Sequence, residues 1–453
     1  MDYENFLERK RHSNKGFGFD PLWLSDTLYD FQKHLVELAC RKGRFAIFAD
    51  CGLGKTGISF TWSENIARKT GGRVLILAPL AVAFQSIKEA NKFGIDAVYR
   101  RQGIEQGDRI VITNYEMLDR FNPSDFAGIV CDESSILKNF DGKMRSAITI
   151  FMRKIEHRLL CTATAAPNDY IELGTSSEAL GYLGSQDMIN KFFKKQEKTT
   201  SARHEHMSGI YQLRPHAHKD FWRWVCSWSV SVRKPSDIGF SDHLFSLPPL
   251  YVNSHVVDSK NLMEGFLFDI PAVGLAEQRK DLAITINERC EMSASLVDSN
   301  HGQSIVWCNL NKEAELLKRI IHDAVEVNGN DSVDFKEESF RRFVDGDVKV
   351  LITKPTIGGF GLNLQNCAHQ TFFPSHSFEQ FYQCTRRSWR FGQKNPVTID
   401  MITTKGQENV LKNLEEKSRK SMAMFDSMVN EINNSLIVKN EFSTTRTEVP
   451  SWL

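Results

Sequence analysis

The chain of 453 residues lacks the marks of the specialised protein classes. Its charges cancel, with 57 Lys and Arg against 56 Asp and Glu and a formal net charge of +1. No bulk basicity advertises a polyanionic partner, so any such site must be a local patch. The nine cysteines, at 40, 51, 131, 161, 226, 290, 308, 367 and 384, are odd in number, scattered, and contain no Cys-x-x-Cys pair. That is not the pattern of a disulfide framework; it suits reduced thiols used as small apolar filler at strand ends, and points to a cytosolic compartment. The most apolar stretch, Val74 to Phe84, is short and broken by Pro79, which excludes a membrane span. Residues 1–15 carry charges of both signs and no apolar run, so no secretory signal is expected there.

What is present is a globular composition, 41% hydrophobic and 25% charged, in a chain long enough for about two or three domains. From Leu28 to Thr175 helical and strand patterns alternate, the signature of a parallel sheet covered by helices on both faces. The strands expected are Phe45 to Ala49, Val74 to Ala78, Arg109 to Thr113, Ile129 to Asp132 and Arg158 to Thr162. A second series follows, with strands Ser304 to Cys308, Val348 to Thr353, Gln370 to Phe373 and Val397 to Ile402, and helices Asn311 to Val327 and Phe378 to Arg387. Two α/β lobes in tandem are therefore expected, residues 1–175 and 250–433. Residues 176–249, rich in lysine, histidine and tryptophan, are expected as a helical insertion and a basic linker. Residues 406–433 have a long helical pattern, and 434–453 a polar tail.

The run Ala49-Asp50-Cys51-Gly52-Leu53-Gly54-Lys55-Thr56 carries the strongest chemistry. It lies between a buried strand and a helix. Gly52 and Gly54 let successive N–H groups face phosphate oxygens at a helix start, Lys55 would reach the β and γ phosphates, and Thr56 would offer its hydroxyl to a magnesium ion. ATP and Mg2+ are thus the expected cofactors. Asp132 and Glu133 stand just past another buried strand, 77 positions after Lys55. Asp132 would hold the metal and Glu133 would orient or deprotonate the attacking water. Thr162 and Thr164 end a further strand and offer a hydrogen-bonded link from the carboxylates to the far lobe. Gln32, on a helix with one buried face, could pair its amide with adenine. In the second half, the glycines at 358, 359 and 361 permit close approach of a phosphate or backbone. Arg387 and Arg390 then fall on adjacent turns of one helix face, placed to reach a γ phosphate across a cleft.

These residues, in this order, resemble superfamily 2 helicases and, within them, the Swi/Snf-type DNA translocase ATPases. The match runs through Gln32, the Walker A loop at Ala49 to Thr56, Leu77-Ala78-Pro79, Thr113-Asn114-Tyr115-Glu116, Asp132 to Asn139, Thr162-Ala163-Thr164, Gly358 to Leu364, and the run from Gln383 to Gln393. It covers most of residues 28–402, and Arg233-Lys234 with Leu247-Pro248-Pro249 looks like the family's basic inter-lobe segment. The resemblance implies two RecA-like lobes with ATP hydrolysed between them. Lys55, Asp132, Glu133, Arg387 and Arg390 would be catalytic; Gln32, Gly52, Gly54, Lys55, Thr56, Gly361 and Gln383 would bind the cofactor; Thr56 and Asp132 would bind the metal. It also implies movement along DNA, double-stranded in preference to single-stranded DNA or RNA, without full strand separation. Two departures stand out. Ser135 replaces the family's histidine, and Ser375-His376-Ser377 replaces Trp-Asn-Pro. The short spacer suits a compact viral or bacterial member, working in a bacterial or virus-infected host cytosol. Two rival readings remain at this stage. One is a strand-separating helicase whose Trp222, Trp224 and Trp228 form a wedge, against the alternative that these pack on the first lobe. The other is a nucleotide-switched binding module with little turnover. A metal site at His204, His206, His216 and His218 ranks below plain solvated histidines.

Overall fold

The computed structural model describes residues 16–79, 86–87, 89–138, 142–166, 169–195, 211–257, 282–358, 363–404 and 407–441. Gly361, His204 and His206 lie outside them.

The first lobe is organised by β1 (Arg44–Ala49), β2 (Arg73–Ala78), β3 (Ala97–Tyr99), β4 (Ile110–Asn114), β5 (Phe126–Asp132) and β6 (His157–Thr162). A small antiparallel pair follows, β7 (Phe193–Lys195) with β8 (Tyr211–Leu213), and then β9 (Ser229–Val232). The main sheet has the order β3-β4-β2-β5-β6-β1-β9, with every pairing parallel. Runs such as Phe45-Ala46-Ile47-Phe48 are apolar at consecutive positions rather than alternating, because helices bury both faces of a parallel sheet. The helices Asp30–Lys42 and Lys55–Thr70 cover one face, and Leu173–Leu180 and His218–Trp228 pack into the core on the other.

The second lobe has β10 (Leu250–Val257), β11 (Ser304–Trp307), β12 (Ala324–Val327), β13 (Val350–Thr353), β14 (His369–Phe372) and β15 (Val397–Thr404), in the parallel order β10-β15-β14-β11-β13-β12. The chain is thus α/β with two parallel-sheet lobes, as the alternating pattern predicts.

Three elements differ from the sequence expectation. The helix expected over 311–327 stops at Ile320, where Ile321 turns extended (φ −94°, ψ 114°); Asp323 then takes a left-handed φ of 57° and Ala324–Val327 becomes β12. In residues 176–249, β9 lies beside β1 in the first sheet, and Trp222, Trp224 and Trp228 are buried in the same core as Phe48 and Leu160. The tryptophans pack on the first lobe and none is exposed as a wedge. The last helix, Glu408–Glu441, runs eight residues past the expected end at 433. It leaves the second lobe and returns to the first, where Met424, Phe425 and Met428 join that core and Arg233 pairs with Asp426 at 2.8 Å.

Candidate nucleotide site between the lobes

The phosphate loop follows from β1 being the buried strand next to the sheet edge. As β1 ends at Ala49 the chain turns through Gly52 (φ 87°) and Gly54 (φ 77°), both left-handed, before the helix starts at Lys55. A Cβ on Gly54 would lie 2.2 Å from Gln32 Nε2, and one on Gly52 would lie 2.9 Å from the Phe391 backbone nitrogen. These two positions therefore need glycine both for conformation and for space. Lys55 Nζ donates to the carbonyls of Ala49 (3.0 Å) and Asp50 (3.3 Å), which holds its ammonium inside the loop.

Gln32 is buried behind the loop with both ends of its amide engaged. Its Oε1 accepts from the Tyr29 N–H (3.0 Å) and its Nε2 donates to the Leu53 carbonyl (2.9 Å). In this state Gln32 fastens the phosphate loop, and an adenine partner would have to exchange with those bonds.

Asp132 ends β5, and Glu133 follows with a φ of 54°, an uncommon conformation for a residue with a side chain and one found mostly at functional sites. Tyr115 helps to fix this turn by donating its hydroxyl to the Asp132 carbonyl at 2.5 Å. Burial raises the Asp132 carboxyl well above the usual carboxylate range; the Glu133 charge adds to the rise and the Lys55 charge opposes it. A cation held by Thr56 and Asp132 would oppose that rise.

The sheet order places β6 beside both β1 and β5, so its end faces both functional loops. Thr162 Oγ1 donates to Glu133 Oε2 (3.4 Å) and accepts from the Thr164 N–H (3.1 Å). Thr164 Oγ1 donates to Glu379 Oε1 (3.3 Å), a residue of the second lobe, and Lys138 pairs with the other Glu379 oxygen. The link expected from the threonines to the far lobe is present. Ser135, in the short turn Ser134–Lys138, is buried beside it.

The second lobe reaches the site through one helix, Phe378–Ser388, whose Ser377 caps its start by accepting from the Gln380 N–H (3.3 Å). Gln383 is buried on it; its Nε2 faces Glu379 Oε1 at 3.5 Å and its Oε1 has no protein partner. Arg387 is buried, with Nε donating to the Gln383 carbonyl at 3.2 Å. Arg390 lies past the helix end at Ser388, not on a further helical turn as its spacing from Arg387 suggests; its Cβ is 3.5 Å from where a Gly52 Cβ would be, and burial with the neighbouring Arg387 charge lowers its pKa to about 10.

One arginine that contacts the first lobe is not among those the spacing singles out. Arg386 Nη2 donates to Asp50 Oδ2 (2.6 Å) and to the Cys51 carbonyl (2.9 Å), and Tyr382 donates its hydroxyl to Asp50 Oδ1. Phe391 stacks on Phe245 (4.7 Å between centroids) and meets Tyr29 edge-on (6.3 Å). A signal for this contact exists in the sequence. Glu379, Tyr382, Gln383 and Arg386 recur at i, i+3, i+4 and i+7, a polar stripe along one helix face, which on a buried helix marks an interface.

Residues 288–392 match the family model described as helicase conserved C-terminal domain. Over these residues the second lobe is similar to a helicase C-terminal domain. Its match ends at Gly392, so it contains the whole bridging helix with Gln383, Arg386 and Arg387, and Arg390 just past the helix end. The solved structures that match include the SWI2/SNF2 ATPase core of Sulfolobus solfataricus in complex with double-stranded DNA, at 16% identity and a TM-score of 0.40 over 90% of this chain and 96% of that one. No curated protein matches the chain. Among the described residues no helix is long and apolar enough to cross a membrane, and no cluster of His, Cys, Asp or Glu has metal-binding geometry.

Proposed function

We propose that this chain is an ATP-dependent nucleic-acid translocase of the Swi/Snf type, hydrolysing ATP between its lobes to move along double-stranded DNA. One observation carries the reading: the phosphate loop and the Asp132-Glu133 pair of one lobe face, across a single cleft, the arginine-bearing helix of a helicase C-terminal domain. The ordered motifs supply the choice of DNA.

Residues 1–175, extended by β9 and the tryptophan helix, would bind nucleotide, and 250–433 would complete the site. ATP and magnesium fit the groups present. The donors are oxygens, Thr56 and Asp132, as magnesium prefers, and the buried Ser134 Oγ and Gln383 Oε1 have no protein partners. Bound magnesium would neutralise phosphate charge and orient the γ phosphate. Lys55 would leave the Ala49 and Asp50 carbonyls for phosphate oxygens. Glu133, aimed by its left-handed backbone and by Thr162, would take the proton of the attacking water. Arg387 and Arg390 would stabilise charge on the transferring phosphoryl group, and Thr164 and Glu379 would pass the state of Glu133 to the second lobe. Alternating grip on phosphates by the two lobes then advances the protein with little sequence preference.

Burial of Trp222, Trp224 and Trp228 removes the wedge on which the strand-separating reading relied. The test compares triplex displacement with duplex unwinding on one preparation. The proposal expects the third strand to be stripped and the duplex to stay closed; efficient unwinding of a blunt duplex would overturn it.

A further inference from the structure

We infer that Arg386 is a positioning residue for the phosphate loop, through which the second lobe sets the affinity of the first for nucleotide. The inference rests on the nucleotide-site reading above and extends it to a residue outside the transition-state arginines.

Three observations support it. First, Arg386 bonds the loop itself: one guanidinium nitrogen reaches both the Asp50 carboxylate and the Cys51 carbonyl, at 2.6 and 2.9 Å. Second, the bonds converge on a residue already tied into the loop at several atoms. Asp50 Oδ1 accepts from the Cys51 N–H (2.6 Å) and from Tyr382, its N–H donates to the Val232 carbonyl (2.9 Å), and its own carbonyl accepts from Lys55 (3.3 Å). A pull on Asp50 is thus a pull on the backbone that Lys55 must release when phosphate arrives. Third, Arg386 is prepared for the task. It is 4% exposed, its guanidinium lies over the Trp389 ring at 4.8 Å, and the Asp50 charge holds it ionised despite burial.

Arg386 bonds the loop directly, through the Asp50 carboxylate and the Cys51 carbonyl. Holding a loop in its binding shape lowers the ordering cost of binding and so raises affinity. A residue acting this way changes nucleotide affinity and KM more than kcat, whereas an arginine acting on the transferring phosphoryl group changes kcat.

The test is a fluorescence titration of the full chain with magnesium and a ribose-labelled fluorescent ADP, beside steady-state ATPase rates. Wild type, Lys55→Ala, Arg386→Gln, Arg386→Lys, Asp50→Asn and the double variant D50N/R386Q are compared, with melting curves to confirm folding. R386Q is expected to weaken binding on the order of tenfold, the loss typical of a charge-assisted hydrogen bond. R386K, which keeps the charge and can reach one partner, should fall between R386Q and wild type. The double variant should bind no more weakly than R386Q, because both changes break the same bond. If R386Q fails to fold, the decision passes to R386K and D50N, which must each weaken binding. Wild-type affinity in the folded arginine variants, or additive losses in the double variant, would overturn the inference while leaving the nucleotide site in place. Wild-type protein that binds no nucleotide, or K55A that binds as well as wild type, would overturn the nucleotide site and the inference together.

Discussion

The two lobes share a plan but not a workload. The first carries the phosphate loop and the carboxylates at the ends of three neighbouring strands, β1, β5 and β6, held by backbone geometry such as the left-handed Gly52, Gly54 and Glu133. The second contributes side chains from the helix Phe378–Ser388 and Arg390 just past its end, and the helix's polar stripe meets the first lobe through Glu379, Tyr382 and Arg386. Their support differs as well. The first lobe's core takes in the tryptophan helix and, from beyond the second lobe, Met424, Phe425 and Met428. The second lobe's outer strand β10 keeps Tyr251, Val252 and Val256 exposed. The difference teaches a division of labour. In the proposed reading, the groups that hold the phosphates sit mainly at the strand ends of the first lobe, and the second lobe brings Arg387 and Arg390 to them.

That contrast is open to direct attack. The largest effect should come from the second lobe. Arg387→Ala or Arg390→Ala is expected to lower the ATPase rate about 10³- to 10⁵-fold, with labelled-ADP binding kept, because charge stabilisation in phosphoryl transfer is worth that much. Loss of binding with kcat intact would erase the distinction between the lobes. Glu133→Gln comes next, expected to cost about 10³-fold in turnover, in the range for a general base, again with nucleotide bound.

Trp228→Ala tests the claim that the tryptophan helix belongs to the first lobe. It should destabilise folding by about 3–5 kcal/mol in a denaturant titration, as for other buried large aromatics. A change near zero would mean that this helix is not part of the core. Glu379→Gln should have the smallest effect of these. It removes the charge that Lys138 pairs with, and stimulation of the ATPase by nucleic acid should fall about tenfold, the scale of one charged hydrogen bond. Unchanged stimulation would show that the Thr164 to Glu379 link carries no coupling.

Much of this was legible in the sequence, and the unreadable part has physical causes. The phosphate loop, the carboxylate pair and the buried strands are local patterns, in which residue type and spacing over a few positions fix the backbone. Thr162 and Thr164 fit a link and a local cap almost equally well by residue type; in the structure Thr162 does both, bonding Glu133 and accepting from the Thr164 N–H. The edge strands β9, β10 and β12 were not legible, since Ser229-Val230-Ser231-Val232 and Ala324-Val325-Glu326-Val327 are short, and only pairing with β1 and β13 selects a strand. The expected helix over 311–327 ends early at Ile320, where Ile321 turns extended and leads to the strand β12. Arg386 was passed over for Arg387 and Arg390 because its partner Asp50 lies 336 positions away, and no local rule pairs them. Gln32 is expected to meet adenine from its donor and acceptor and its place in the ordered motifs; the bonds its amide makes to Tyr29 and Leu53 are not predicted by the local pattern.

The central claim is that the cleft is a motor run by nucleic acid, and the steady-state ATPase rate tests it most directly. Rates should be measured with double-stranded DNA, single-stranded DNA and RNA, with Glu133→Gln as the control for contaminating activity. The account predicts a low basal rate, stimulation strongest with double-stranded DNA and weakened by salt, and none in the Glu133 variant. A rate that no nucleic acid raises would contradict it.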